Sequence, residues 1–249
     1  MIRLFRKIRH KLLSENNYGV YILYATGEIV LVMVGILLAL QIDNWNESKK
    51  ARITEISMLN ELITSLSADS TALTINIAYH NQAIKSSEII MNVLDSKGQF
   101  NDSLARHFAS INNYTTFASA LGPYESLKSM GFETISNKSL RLEIISLYDH
   151  EYRILKNNER ILTEDIQELK RDYYKEHFVE FQVIIPDPPY YAGKMVPNNF
   201  NELMKNKSFK YFVRTLNTSH AIFNVLIKMN IERVSELKRK CQEEIIRLN

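Results

Sequence analysis

Between Tyr18 and Ile42 the only strongly polar residues are Thr26, Glu28 and Gln41. As a helix this stretch spans about 37 Å, enough for a hydrocarbon core of about 30 Å. The uninterrupted apolar run, Ile29 to Leu40, is too short to cross alone. Beyond Asn44 the pattern changes. Apolar residues recur at three- and four-residue steps: Ile56, Leu59, Ile63, Leu66, Leu73, Ile77, Ile84, Met91 and Leu94, with Ser70, His80 and Ser87 in the remaining slots. That spacing predicts a long coiled-coil-like seam. Neither glycine nor proline interrupts the chain from Ile36 to Lys97. A second breaker-free run, Phe132 to Ile185, carries Leu140, Ile144, Leu147, Ile154, Ile161, Ile166, Leu169 and Tyr173 on a helical stripe. A third, Lys207 to Leu248, carries Phe212, Leu216, Phe223, Leu226, Ile231, Val234, Leu237 and Ile245. Sustained two-residue alternation is missing, so strands are expected to be few. The prediction is an all-α protein: one N-terminal transmembrane helix running on into an elongated bundle of three long helices. Its parts are a basic stub (residues 1–17), a membrane helix (18–42) and a helical body (43–249).

Straight helices fix where the connectors should fall. The first would carry the chain about 80 Å from the membrane at 1.5 Å per residue. The corner from Gly98 to Asn137 would then be distal, and Pro186–Pro197 would return towards the membrane. There Tyr190 and Tyr191 would touch headgroups or merely flank a rigid proline turn. Within the corner, Pro123 after Gly122 reads as a first-turn helix residue and Gly131 as its C-cap. Tyr124, Glu125, Lys128, Asn137 and Arg141 would converge on a concave distal tip, either a well-capped bend or a site for a ligand or partner.

Charge refines the membrane reading. The net charge of +3 is confined to the stub, where Arg3, Arg6, Lys7, Arg9 and Lys11 face one acid, Glu15. Residues 43–249 hold 26 basic and 26 acidic side chains, leaving no basic stripe for nucleic acid. On the far flank Lys49, Lys50 and Arg52 are balanced by Asp43, Glu47 and Glu55. The positive-inside rule therefore places the N-terminus in the cytoplasm and the body outside. Tyr18, Tyr21 and Tyr24 mark one interface and Trp45 the other. "ALQID" after Leu38 is a poor cleavage site, so an uncleaved signal anchor is expected. Leu4, Phe5, Ile8 and Leu12 share a face on which the stub could lie along anionic lipid.

Glu28 is the anomaly. A carboxylate at the bilayer centre costs roughly 2.5–3.5 kcal/mol on insertion scales. Glu28, Gly27 and Gly35 lie along the helix with Ala39, and Gly35 with Ala39 forms a small-xxx-small pair. The leading reading is polar glue at a helix–helix contact. The others are snorkelling to the near interface and proton relay in a stator-type subunit.

"MIRLFRKIRHKLLSENNYGVYILYATGEIVLVMVGILLALQIDNWNE" resembles the N-terminus of a family of Bacteroidota single-pass membrane proteins of unknown function. The basic stub, the Gly27-Glu28-Ile29 step, Gly35-Ile36, Ala39-Leu40 and Asn44-Trp45-Asn46-Glu47 carry the likeness. "YESLKSMGFETISNKSLRLEIISLY", Tyr124 to Tyr148, is similar to that family's central helix-turn-helix, and "NKSFKYFVRTLNTSHAIFN" matches more loosely. The resemblance implies that Glu28 belongs to the pattern. It also implies a Gram-negative inner membrane with a periplasmic body. It brings no activity.

Residue patterns that carry chemistry are few. Six scattered histidines form no HExxH or other metal spacing, and the single cysteine, Cys241, is expected in a helical seam. Nucleophile-elbow, P-loop and dinucleotide motifs are missing, so neither catalysis, a metal nor a cofactor is expected. Six N-x-S/T sequons, at Asn46, Asn101, Asn113, Asn137, Asn206 and Asn217, read as chance. "DST" at Asp69 and "DSL" at Asp102 resemble a bacterial O-glycan acceptor pattern, and Ser103, expected in a loop, is the more reachable serine. The functional expectation is a non-enzymatic membrane scaffold or accessory subunit. It would partner the lipid bilayer and either its own copies or a larger membrane complex. The alternatives are an extracytoplasmic sensor using the tip, or the stator reading of Glu28.

Overall fold

The computed structural model describes residues 18–184 and 192–249. The stub, including Leu4, Phe5, Ile8 and Leu12, and the pair Tyr190–Tyr191 therefore lie outside the described residues. One helix, α1, runs from Tyr18 to Ser96 without a break, as the lack of glycine and proline between Ile36 and Lys97 predicts. The chain divides into two units at Thr54/Glu55.

In the first unit α1 is apolar and bare. None of its most apolar window is covered by the chain, and Ile29 and Leu31 are 62% and 72% exposed. It is the one described helix long and apolar enough to cross a membrane.

The second unit holds the rest of α1 and everything after it. α2 is Asp102–Ser110, α3 Gly122–Met130, α4 Lys138–Ser146, α5 Tyr152–Leu169 and α6 Lys175–His177. A hairpin of β1 (Phe178–Ile184) and β2 (Ala192–Pro197) follows, then α7 (Phe200–Lys205) and α8 (Lys207–Leu248). Two π-helical turns, Leu147–Glu151 and Lys170–Tyr174, weld α4, α5 and α6 into one helical rod. The unit is all-α apart from the antiparallel hairpin, which pairs Phe181 with Met195 and Val183 with Gly193. The helical run from Phe132 thus stops at His177, not at Ile185. Residues 178–184, FVEFQVI, are aromatic and β-branched, and suit an extended chain.

Inter-helix bonds give the direction of each pass. At the top of α1, Lys210 Nζ donates to Asp95 Oδ1 (2.9 Å) and to the Leu94 carbonyl (3.1 Å). At its lower end Ser136 donates to Glu55, and Asn137 Nδ2 reaches Glu244 (2.8 Å). So α1 rises from Glu55 to Ser96, and the chain through α2, residues 113–121 and α3 descends. The α4–α6 rod then rises, and α8 descends. This corrects the predicted geometry. The corner Tyr124–Arg141 is not distal; it lies at the Glu55 end, where the chain enters the domain. The hairpin lies at the opposite end, with Phe178 packing on Phe108 of α2 at 5.4 Å between ring centroids. The reversal comes from the connector. Residues 113–121 form neither helix nor strand, and on the way to the Glu55 end their N–H groups bond Glu159 and Asp69.

Helical phase is the second correction. In α1 the predicted Leu59, Leu66, Leu73, His80, Ser87 and Leu94 are all buried. Their partners in the heptad are Glu55, Leu62, Asp69, Asn76, Ala83 and Ile90, each one residue before the predicted Ile56, Ile63, Ser70, Ile77, Ile84 and Met91, which are half-buried. Three of those six seam positions are polar, which hid them from an apolar count. In α5, Ile154 and Ile161 leave the core and Tyr152, Leu155, Glu159 and Leu162 replace them. The π turn at Leu147–Glu151 inserts an extra residue that turns the side chains after it by about 100°, whereas the predicted Ile166 and Leu169 are buried as expected. α8 begins and ends where predicted, with Cys241 fully buried in its seam. There burial first, then Glu143 and Glu244, push the thiol up to about 12.

Candidate functional site

Three regions carry unusual residues. The first is the bare half of α1. Gly27 and Gly35 meet nothing within 4 Å where a side chain would begin, and the helix places Glu28 one residue from Gly27 and seven from Gly35. Ala39 is a further turn along. Thr26 folds its hydroxyl back to the Ile22 carbonyl at 2.9 Å, which hides a polar group from an apolar surrounding. Of the interface anchors, Tyr24 is half-buried and Trp45 is exposed with the Lys49 ammonium 5.7 Å from its ring centroid. Tyr21 belongs to the helix by its backbone. On the face that the sequence singled out, Gly27 and Gly35 border open space and Glu28 is half-buried.

The second is the corner. Its caps follow the prediction: α3 opens with Pro123 in its first turn and ends at Gly131, whose φ of 99° favours a residue without Cβ. The predicted tip does not form. Tyr124 is buried and stacks on Tyr148, with centroids 4.4 Å apart and planes 11° from parallel. Phe132, Tyr152 and Phe117 complete the aromatic cluster. Asn137 is spent as an N-cap, its Oδ1 accepting from Ser139 and Leu140 while its Nδ2 donates to Glu244. Arg141 lies 3.9 Å from Glu133, whereas Glu125 and Lys128 point to solvent. Of these five residues Tyr124 fills the bend and Asn137 caps it. Beside them, a groove of about 300 Å³ between α4 and α8 is lined by Asn137, Glu143, Lys240 and Glu244. Its charges are paired: Lys240 Nζ bonds Glu143 at 2.6 Å and Glu236 at 3.0 Å, and Arg247 bonds Glu244.

The third region was not singled out by sequence. Buried carboxylates fasten the connector to the core. Glu159 Oε1 accepts from the Phe117 N–H (2.9 Å), Asp69 Oδ1 from Ala120 (2.7 Å), and Glu55 Oε1 from Ser136 (2.8 Å). A chain outside helix and strand has no ladder partner, so its N–H groups need acceptors from side chains. Asp69 also accepts from Tyr152 Oη at 2.7 Å, and Ser65 meets Tyr148 Oη at 3.1 Å. Burial raises the Asp69 and Glu159 carboxyls above their ordinary range against the lowering pull of these N–H bonds, and it carries Tyr148 up to about 12. Higher in the same seam, His80 and His220 are both fully buried with their Nδ1 atoms 2.9 Å apart. The only legible signal was polar residues at heptad spacing, 55, 69, 76, 80 and 87, inside a breaker-free helix.

Asn101 and Asn206 also prove to be N-caps, accepting from Leu104 and Phe209. Three of the six sequons thus mark helix starts. Ser103 lies in the first turn of α2, not in a loop, though it is exposed. Among the described residues no three His, Cys, Asp or Glu side chains gather as a metal-binding set.

The chain belongs to a family of unknown function, DUF6090, whose profile matches residues 28–179, from Glu28 through the corner and the α4–α6 rod. No curated protein and no solved structure matches it.

Proposed function

We propose that this chain is a non-enzymatic, single-pass membrane protein that acts as a scaffold or accessory subunit, assembling through the Glu28/Gly35 face of its bilayer helix. The observation that carries this reading is the bare apolar half of α1, continuous with a folded domain that leaves it uncovered. About twenty residues of mostly exposed, mostly apolar helix, Ile22 to Ile42, suit lipid and not water. Within lipid the association of helices relies on small residues and shared polar groups, which Gly27, Glu28, Gly35 and Ala39 supply. The five basic residues of the stub set the N-terminus in the cytoplasm, so the domain is extracytoplasmic. The family resemblance supports a Bacteroidota source, hence a Gram-negative inner membrane and a periplasmic domain. The lack of catalytic motifs in the sequence supports a structural role. Polar glue is preferred over proton relay because Gly35 and Ala39 supply a close-packing surface on the same helix.

The test is to extract the tagged protein from its native membrane in mild detergent, measure the mass of the complex and identify its components. A homo-oligomer, or a stoichiometric multi-helix partner, supports the proposal. A bare monomer sinks it. Release of the protein by alkaline carbonate would overturn the membrane reading itself.

A further inference from the structure

His80 of α1 and His220 of α8 meet in the seam with Nδ1 atoms 2.9 Å apart and ring centroids at 5.1 Å. Their tautomers follow from the partners. His220 Nε2 faces the Ile111 carbonyl at 3.4 Å, and a carbonyl only accepts, so His220 carries its proton on Nε2 and presents a bare Nδ1. The bond between the rings then takes its proton from His80 Nδ1. That leaves His80 Nε2 as a buried lone pair without a protein partner. Two neutral imidazoles share this arrangement, with no place for a further proton. On His220 Nδ1 it would confront the N–H of His80, and on His80 Nε2 it would aim a charged donor at no acceptor.

The described side chains packed on the pair are apolar or neutral. Phe223 packs edge-on against His80 at 4.9 Å. One turn away on the same helices stand Asn76 and Asn224, each with a buried Oδ1 that lacks a partner. Tyr79 is the neighbouring ionisable group on α1. On α2, His107 faces Ser86 at 3.1 Å, and on α5, Asp165 bonds Ser219 at 2.8 Å. The charge that acts on His80 is that of His220, and His220 is bonded to the Ile111 carbonyl.

We infer that the His80–His220 pair is an acid-sensitive latch on the α1–α8 seam, closing it when both rings are neutral and releasing it when either is protonated. In the closed seam burial, then the neighbouring imidazole, holds His80 down at about 3, and burial holds His220 at about 4. In an opened seam both recover the ordinary value near 6.5. The open form therefore takes up protons first, and acidification favours it from about pH 6.5 down to about 4, by up to tenfold per pH unit for each histidine and a hundredfold for the pair. Other groups act elsewhere or oppositely. Asp69 and Glu159, raised by burial, favour the closed fold as they protonate. Asp95, Asp102, Glu236 and Glu244, held low chiefly by bonds to Lys210, Lys194, Lys240 and Arg247, weaken the fold only as pH falls below 4.5. His107, lowered by burial and then by Lys85, shares the window and needs its own control.

The experiment is hydrogen exchange on the full-length protein in detergent between pH 7 and pH 5, corrected for intrinsic rates. Amides of residues 73–84 and 216–227 are expected to lose protection by ten- to a hundredfold per pH unit, and a His80→Gln, His220→Gln variant to lose that slope. His107→Gln should keep it. Nitrogen-15 spectra of the imidazoles in the unaltered protein give a second readout that needs no variant. They should show protonated Nδ1 on His80 and protonated Nε2 on His220, both rings still neutral at pH 5 in the closed form. Titration of both rings near 6.5 with protection unchanged, or a slope that survives in the double variant, overturns the latch.

Discussion

The two halves of α1 are built on opposite rules. From Ile22 to Ile42 the helix shows mostly apolar side chains to its surroundings, while from Glu55 to Ser96 it hides polar ones: Glu55, Ser65, Asp69, Asn76, His80, Ser86 and Ser87 are all buried. Each half is unstable by itself in water, for different reasons. An exposed apolar helix lacks an apolar partner, and a buried polar seam lacks hydrogen-bond partners. The second half finds its partners inside the chain: Ser136, Ala120 and Tyr152 donate to Glu55 and Asp69, and His220 meets His80. The apolar window of the first half stays uncovered, and what suits it is lipid or another helix. A helix continuous in sequence and geometry is therefore two elements in solvation.

Substitutions can sharpen that contrast, starting with the buried acceptors. Asp69→Leu strips the acceptor from the Ala120 N–H and the Tyr152 hydroxyl, and should cost about 4 kcal/mol of domain stability in thermal or denaturant unfolding; Asp69→Asn, which keeps an acceptor, should cost less than half of that. In the α5 rod, Leu162→Ala should cost about 3 kcal/mol, while the neighbouring Ile161→Ala should cost under about 1 kcal/mol. Equal costs, or the reverse order, would show that the π turn does not set the phase.

In the apolar half, Val34→Arg should leave the domain's unfolding unchanged and impair membrane insertion by about 3 kcal/mol, read as the fraction integrated into microsomes. If it instead unfolds the domain, the two halves are not separate in solvation. Glu28→Gln is the mildest. As glue it should weaken assembly by about 1 kcal/mol, seen as a shift towards smaller complexes at low protein-to-detergent ratio. Full loss of function with assembly intact would favour the proton relay instead.

Periodicity was enough for the helical class, the full extent of α8, the bare helix from Ile22 onwards and the caps at Pro123 and Gly131. Each depends on local chemistry: where glycine and proline are missing, where apolar side chains recur, and which residue tolerates a positive φ. Tyr124, Asn137 and Arg141 show the limit. A tyrosine, an asparagine and an arginine near a turn look alike in sequence whether they receive a ligand or fill a bend, and only the position of Tyr148 and Glu244, brought from other passes of the chain, decides between them. The same holds for the seam. Asp69 and His80 read as gaps in an apolar stripe because the Ala120 N–H and the His220 ring that make their burial tolerable are supplied by residues 51 and 140 positions away. The phase of α5 was hidden for a related reason, since a π turn costs one residue of register that no apolar pattern announces. Local rules placed the elements; long-range hydrogen bonds chose which polar residues go inside and which end of the domain each connector occupies.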